Sequence, residues 1–302
     1  MKSMPRSPPK PLDLYQSAGR GVKMTFERLI RFVDDQGQTR YGDVPQSVDI
    51  DHIVGQKVKV LEGSPSTTLS STQEQATVKE LLCPLESVHI FQCIGLNYAQ
   101  HAKEANITVP PHPVVFTKPP DALAGPYDDV HVHMDATPKL DYEGELTVIM
   151  GKDGKNIKEE DALQYVLGYT VGNDVSARNF QAREVSGGQF GYAKSFDRFA
   201  PIGPAIVSSS LIKDPQNLNY TTKLNGEQRQ KTNTSDMIWK VKQIIAHLSR
   251  GTTLRKGTAI MTGTPSGVGN FMEPKGFIHD GDVVEIEVEG IGAIRNKFVF
   301  DK

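Results

Sequence analysis

The chain is poor in the residues that define several common protein classes. Of its 302 residues only two are cysteines, Cys83 and Cys93. Ten positions apart and outside any Cys-x-x-Cys pair, they make neither a disulfide framework nor a zinc site. Two reduced thiols in a reducing compartment are the expectation. No apolar run approaches the roughly 18 residues that a membrane-crossing helix needs. Charge of one sign is also missing: the formal net charge is -2 and the pI about 6.5, so no overall field favours nucleic acid or an acidic membrane. The glycine-rich segment Thr262 to Gly269 lacks the Gly-Lys-Ser/Thr ending of a phosphate-cradling loop, which excludes that mode of nucleotide binding.

What is present reads as ordinary globular protein, with 37% hydrophobic and 23% charged residues. Residues 1–23 carry Lys2, Arg6, Lys10, Arg20 and Lys23 against a single acid, Asp13. A basic leader of this kind fits an organellar transit peptide, but Pro5, Pro8, Pro9 and Pro11 oppose an amphipathic helix. A disordered extension, or translation from Met24, fits as well, and the compartment stays open between mitochondrial matrix and cytoplasm. Order is expected from Thr25, with a small N-terminal domain over 24–85 and a larger second domain over 86–302.

Strand signals dominate. Phe26, Leu29, Ile30, Phe32 and Val33 make one apolar stretch, Gly42 to Val44 and Val58 to Leu61 are further short strand signals, and a Ser- and Thr-rich stretch, Glu62 to Gln75, then reads as loop or hinge. His89 to Ile94, Leu140 to Met150, Leu167 to Val171, Thr258 to Met261 and Val283 to Ile291 continue the pattern. Glu159 to Val166 looks helical. In Asp236 to Leu248 the apolar residues Met237, Ile238, Val241, Ile244, Ile245 and Leu248 share one helical face. Strands with occasional helices and frequent Gly and Pro indicate an α+β, mainly β domain.

Three segments carry acid–base or metal chemistry. On a strand, the carboxylates of Asp-Tyr-Glu-Gly-Glu-Leu (141–146) put Glu143 and Glu145 on one side, about 6.5–7 Å apart. Two such acids repel unless a cation or proton lies between them, although Glu-x-Glu on a solvated strand edge is commonplace. Asp174 follows the apolar strand that ends at Val171, a position where site residues gather on rigid support. With no His or Cys beside them, three acids form an all-oxygen set suited to Mg²⁺, Mn²⁺ or Ca²⁺ rather than Zn²⁺. His101 and Glu104 become i,i+3 neighbours if their segment is helical, and a carboxylate on one ring nitrogen makes the imidazole a general base. As a surface pair the same spacing is ordinary. Lys194 and Lys118 read equally as acid, base or charge clamp and as surface charges. Thr264 and the backbone N–H groups around it read either as a tight turn or as a holder for a substrate carboxylate.

Taken in order, six motifs resemble the fumarylacetoacetate hydrolase family: Gly-x-Asn-Tyr-x-x-His-x-x-Glu (95–104), Phe-x-Lys-Pro (116–119), Asp-Tyr-Glu-x-Glu-Leu (141–146), Asn-Asp-Val-Ser-Ala-Arg (173–178), the Lys194 segment, and Thr-Gly-Thr-Pro-x-Gly-Val-Gly (262–269). The resemblance spans about 88–300 and lies nearest the oxaloacetate tautomerase and acylpyruvate hydrolase branch. It implies a mixed β-sandwich roll, a homodimer, and Mg²⁺ held by Glu143, Glu145 and Asp174. It further implies a water-activating dyad of His101 and Glu104 on a lid, Lys194 at the reacting oxygen, and substrate contacts from Gln181, Thr264, Lys118 and Arg178. The implied activity is stabilisation of the enolate of a small 2-oxo acid. Tautomerisation or decarboxylation of oxaloacetate comes first. C–C hydrolysis of acylpyruvates, isomerisation of a 2-hydroxyhepta-2,4-diene-1,7-dioate and a non-catalytic binding role are the alternatives. Asp121 and Asn179 stand where the family usually has Ser and Asp.

Overall fold

The computed structural model describes residues 26–302; Thr25 and the basic leader lie outside the described residues. The fold is α+β and mainly β. Its larger sheet has eleven strands. At one end sit the N-terminal strands Thr39–Asp43, Lys57–Glu62, Ser70–Leu82 and Arg28–Asp34. Arg28–Asp34 pairs antiparallel with Ala200–Ser208, and the sheet runs on through Val166–Asn173, Gly144–Met150, Ala259–Met261 and Phe91–Gly95 to the edge strand Val114–Lys118. A five-stranded second sheet contains Asn219–Leu224, Val283–Val288 and Gly292–Phe300.

The two sheets enclose the main core, in which Leu146, Val148 and Val171 of one face meet Tyr220, Ile286 and Phe298 of the other. Strand Gly144–Met150 is buried along its whole length: Val148 to Met150 form an unbroken apolar run, while Glu145 and Thr147 are buried polar residues. The N-terminal strands build a smaller core around Ile30, Phe32, Val58 and Val78.

Three expectations change. The polar stretch from Glu62 to Gln75 is not all loop: a 13-residue strand, Ser70–Leu82, begins inside it. Most of this strand's side chains are solvated, so pairing with Lys57–Glu62 and Arg28–Asp34 stabilises it where composition does not. The segment from Leu140 to Met150 is two strands, because Leu140–Asp141 leaves the sheet to pair with Ser176–Ala177. The helix expected from Asp236 begins only at Val241. Upstream, Met237 bridges to Tyr98 and the N–H of Ile238 donates to Asn97 O at 2.7 Å, tertiary bonds that replace a helical turn. Glu159–Tyr165 is helical but of the tighter 3₁₀ kind. Cys83 and Cys93 are free thiols.

Candidate metal centre and active site

The antiparallel register Gly144↔Asn173 and Glu145↔Gly172 brings Glu143 and Asp174 to the same end of two central strands. Two bonds fix them there: the Asp174 N–H donates to Glu143 O at 2.9 Å, and the Glu143 N–H donates to Asn173 Oδ1 at 3.0 Å. Glu145 lies one pleat further in. One carboxylate oxygen from each of Glu143, Glu145 and Asp174 lies within 4.8 Å of the others, and all three residues are buried.

Three cations surround this cluster. Lys194 Nζ donates to Glu143 Oε2 at 2.9 Å, to Asp174 Oδ2 at 2.6 Å and to Ser176 Oγ at 2.7 Å. The Arg178 guanidinium spans Asp141 Oδ2 at 2.8 Å and Glu143 Oε1 at 2.6 Å. Lys118 Nζ lies 2.6 Å from Asp174 Oδ1 in a buried ion pair. Burial pushes the Glu143 carboxyl up, but Lys194 and Arg178 outweigh it and hold the group well below the usual range. Glu145 has no cationic partner of its own. Burial, then Asp174 and Glu143, push it well above the carboxylate range against the opposing Gly263 N–H, which donates at 2.6 Å.

These residues fit a divalent cation. The donors are all oxygen and all buried, and Asp141, Glu143, Glu145 and Asp174 outnumber Lys118, Arg178 and Lys194. A buried carboxylate without a counter-charge must take up a proton or a metal, and Glu145 is in that position.

The glycine-rich loop supports the site through its backbone. Gly263 has φ +100°, and a Cβ there would sit 2.6 Å from Asn97 Cβ, so only glycine brings its N–H to Glu145. Asn97 is buried; its side chain donates to Thr262 O at 2.6 Å and accepts from the Trp239 N–H at 2.8 Å, locking the loop to the segment that carries His101. Helix Ala99–Glu104 forms as expected. His101 Nδ1 is 2.9 Å from Glu104 Oε2, while Glu104 Oε1 accepts from the Gly267 N–H at 2.9 Å.

A cavity of about 360 Å³ opens beside the carboxylates. Of the residues expected at the site, His101, Glu143, Arg178, Gln181, Lys194 and Thr264 line it. Lys118, expected at the substrate, does not. It is buried behind Asp174 with its ammonium on the Val175 and Phe199 carbonyls, because alternation along Val114–Lys118 turns it into the protein. Thr264 reaches the cavity, but its hydroxyl donates to Gly144 O at 3.0 Å and accepts from Gln230 Nε2 at 2.8 Å. Phe116, Phe190, Phe271, Ile107, Lys139 and Asn270 also line the wall. Only Phe116 stood in a motif, beside the lysine of Phe-x-Lys-Pro. Larger openings of about 530 and 630 Å³ contain none of the clustered carboxylates.

Residues 91–299 match the model of the fumarylacetoacetate (FAA) hydrolase C-terminal family. The chain is 43% identical over 219 residues to a Xenopus laevis protein named mitochondrial oxaloacetate tautomerase fahd2, covering 72% of this chain and 68% of that one. It is 45% identical over 207 residues to the Bacillus subtilis oxaloacetate tautomerase YisK, covering 68% of each. Among solved structures, a 2-hydroxyhepta-2,4-diene-1,7-dioate isomerase from Mycobacterium marinum superposes with a TM-score of 0.77 at 33% identity, covering 91% of this chain and 99% of that one. A fumarylacetoacetate hydrolase from Exiguobacterium antarcticum gives 0.76 at 34%, with the same coverage. With the family match spanning both strands of the carboxylate cluster and the glycine-rich loop, this chain belongs to the fumarylacetoacetate hydrolase family.

Proposed function

We propose that this protein is a divalent-metal-dependent oxaloacetate tautomerase, interconverting the enol and keto forms of that 2-oxo acid. The observation that carries the proposal is the buried cluster of Glu143, Glu145 and Asp174 beside a cavity. It occurs in a chain 43–45% identical to proteins named oxaloacetate tautomerase.

Glu143, Glu145 and Asp174 are the residues that would hold the metal, Mg²⁺ first, with Mn²⁺ or Ca²⁺ as substitutes. A bound divalent cation supplies sites for the oxygens of a 2-oxo acid and positive charge against the negative charge developing on its 2-oxo oxygen. Lys194, between Glu143 and Asp174, adds an ammonium at the same place. His101 has Nδ1 engaged by Glu104, which leaves Nε2 to exchange a proton with C3 as the enol oxygen gives up its own. Gln181 and Arg178 orient the substrate from the cavity wall, Arg178 Nη1 donating to Gln181 Oε1 at 2.8 Å. Lys118 we assign as counter-cation to Asp174. A homodimer with the catalytic domain over 86–302, in the mitochondrial matrix or the cytoplasm, completes the proposal.

The test follows loss of the enol's ultraviolet absorbance, with Mg²⁺ and with EDTA. Turnover that survives EDTA, or that survives Glu143→Ala, would end this reading. A second reading, C–C hydrolysis of an acylpyruvate, is favoured by the dyad, which is equally placed to activate water. Product analysis separates them: unchanged mass for tautomerisation, two acids for hydrolysis, released CO₂ for decarboxylation.

A further inference from the structure

The cavity wall carries three cationic side chains besides His101: Arg178, Lys194 and Lys139. The first two are ion-paired within the buried network, Arg178 with Asp141 and Glu143, Lys194 with Glu143 and Asp174. Drawing either towards a second substrate anion would strip a buried carboxylate of its partner, a costly exchange. Lys139 differs. It is exposed while lining the cavity, and among the described residues it has neither a hydrogen bond nor an ion pair. The acid four residues before it, Asp135, faces His133 at 3.7 Å instead.

Its place is fixed by the backbone. Lys139 ends the 3₁₀ helix Met134–Lys139, and the following pair Leu140–Asp141 lies antiparallel to Ser176–Ala177 with Leu140 opposite Ala177. Lys139 and Arg178 flank this paired segment, and both line the cavity. The 3₁₀ helix is tethered at the same point, since Asn179 Nδ2 donates to Asp135 O at 2.8 Å. The opposite character on the wall comes from Phe116, Phe190 and Phe271. A monocarboxylic 2-oxo acid with an apolar tail would use those rings and leave Lys139 idle.

We propose that Lys139 is a specificity residue that binds the distal carboxylate of a dicarboxylic substrate whose 2-oxo acid end lies at the acidic cluster. The inference rests on the proposed function for the position of that end, and it commits the site to short diacids over monoacids. A flexible four-carbon stem with an unshared ammonium suits a group whose distance from the cluster changes between enol and keto forms.

The experiment compares two unreactive probes with the same 2-hydroxy acid end, malate with a distal carboxylate and lactate without one. Both are titrated into the full-length Mg²⁺-loaded protein by calorimetry. The wild type should bind malate roughly five- to tenfold more tightly than lactate, the range expected of one charge-assisted contact. Lys139→Met should abolish that preference while leaving lactate affinity unchanged, and Lys139→Arg should restore most of it. Equal affinities in the wild type, a preference that survives Lys139→Met, or a parallel loss of both ligands would overturn the inference. The proposed function is judged separately, by metal-dependent turnover of oxaloacetate in the wild type. Loss of that turnover with the malate preference intact would sink the reaction and spare Lys139.

Discussion

Gly267 donates its backbone N–H to Glu104 Oε1 at 2.9 Å, while the other oxygen of the same carboxylate holds His101 Nδ1 at 2.9 Å. The dyad is thus oriented from the glycine-rich loop, and the loop needs glycine to do it. Gly267 has φ +97°, and a Cβ there would lie 2.0 Å from Arg229 O. Gly267→Ala should therefore lower stability by about 2 kcal/mol or more, read by urea unfolding. It should also reduce kcat through a dyad left without its backbone anchor. A variant with full stability and wild-type kcat would remove the loop from this role.

Glu143 and Glu145 should respond oppositely to amide substitution. In EDTA, Glu143→Gln breaks pairs with Lys194 and Arg178 and should destabilise by about 3 kcal/mol, near the lower end for buried pairs because both cations keep a second acid. Glu145→Gln removes a buried acid with no cationic partner, so metal-free stability should hold or rise. Metal affinity should fall in both. Denaturant curves with EDTA beside Mg²⁺ titrations check the pair; equal destabilisation would contradict the charge distribution described above.

Lys118→Met should act on folding before it acts on substrate. Its ammonium serves Asp174 and the carbonyls of Val175 and Phe199 inside the protein. Loss of the charge should cost about 3 kcal/mol in the absence of any ligand, measured by thermal or urea unfolding. Unchanged stability with a raised KM would return Lys118 to the substrate.

Mg²⁺ should stabilise the folded chain by mass action. At a hundredfold excess over its dissociation constant the gain is about 2.7 kcal/mol, seen as a higher Tm that EDTA reverses. The same addition should leave the Tm of Glu143→Ala nearly unmoved.

Much of the site was legible because its chemistry is local. The acids of Asp-Tyr-Glu-Gly-Glu-Leu and Asp174 stand at strand ends, and the His101–Glu104 spacing needs only one helical turn. What the sequence could not disclose depends on partners far along the chain. Lys118 and Thr264 look alike as polar residues near glycine or proline, yet each is engaged by groups 34 or more positions away. Lys139 sits in no motif, and only the pairing of Leu140 with Ala177 brings it to the cavity. Strand Ser70–Leu82 was hidden for a related reason: its polar side chains face water, and its stability comes from neighbours on both sides.

The antiparallel join between Arg28–Asp34 and Ala200–Ser208 has a practical consequence for anyone shortening this protein. A fragment starting near residue 86 would leave part of Ala200–Ser208 with unpaired peptide groups, a ready template for another chain to add itself. The first sixty described residues thus shield an otherwise sticky seam, and truncations that spare every carboxylate of the site should still precipitate.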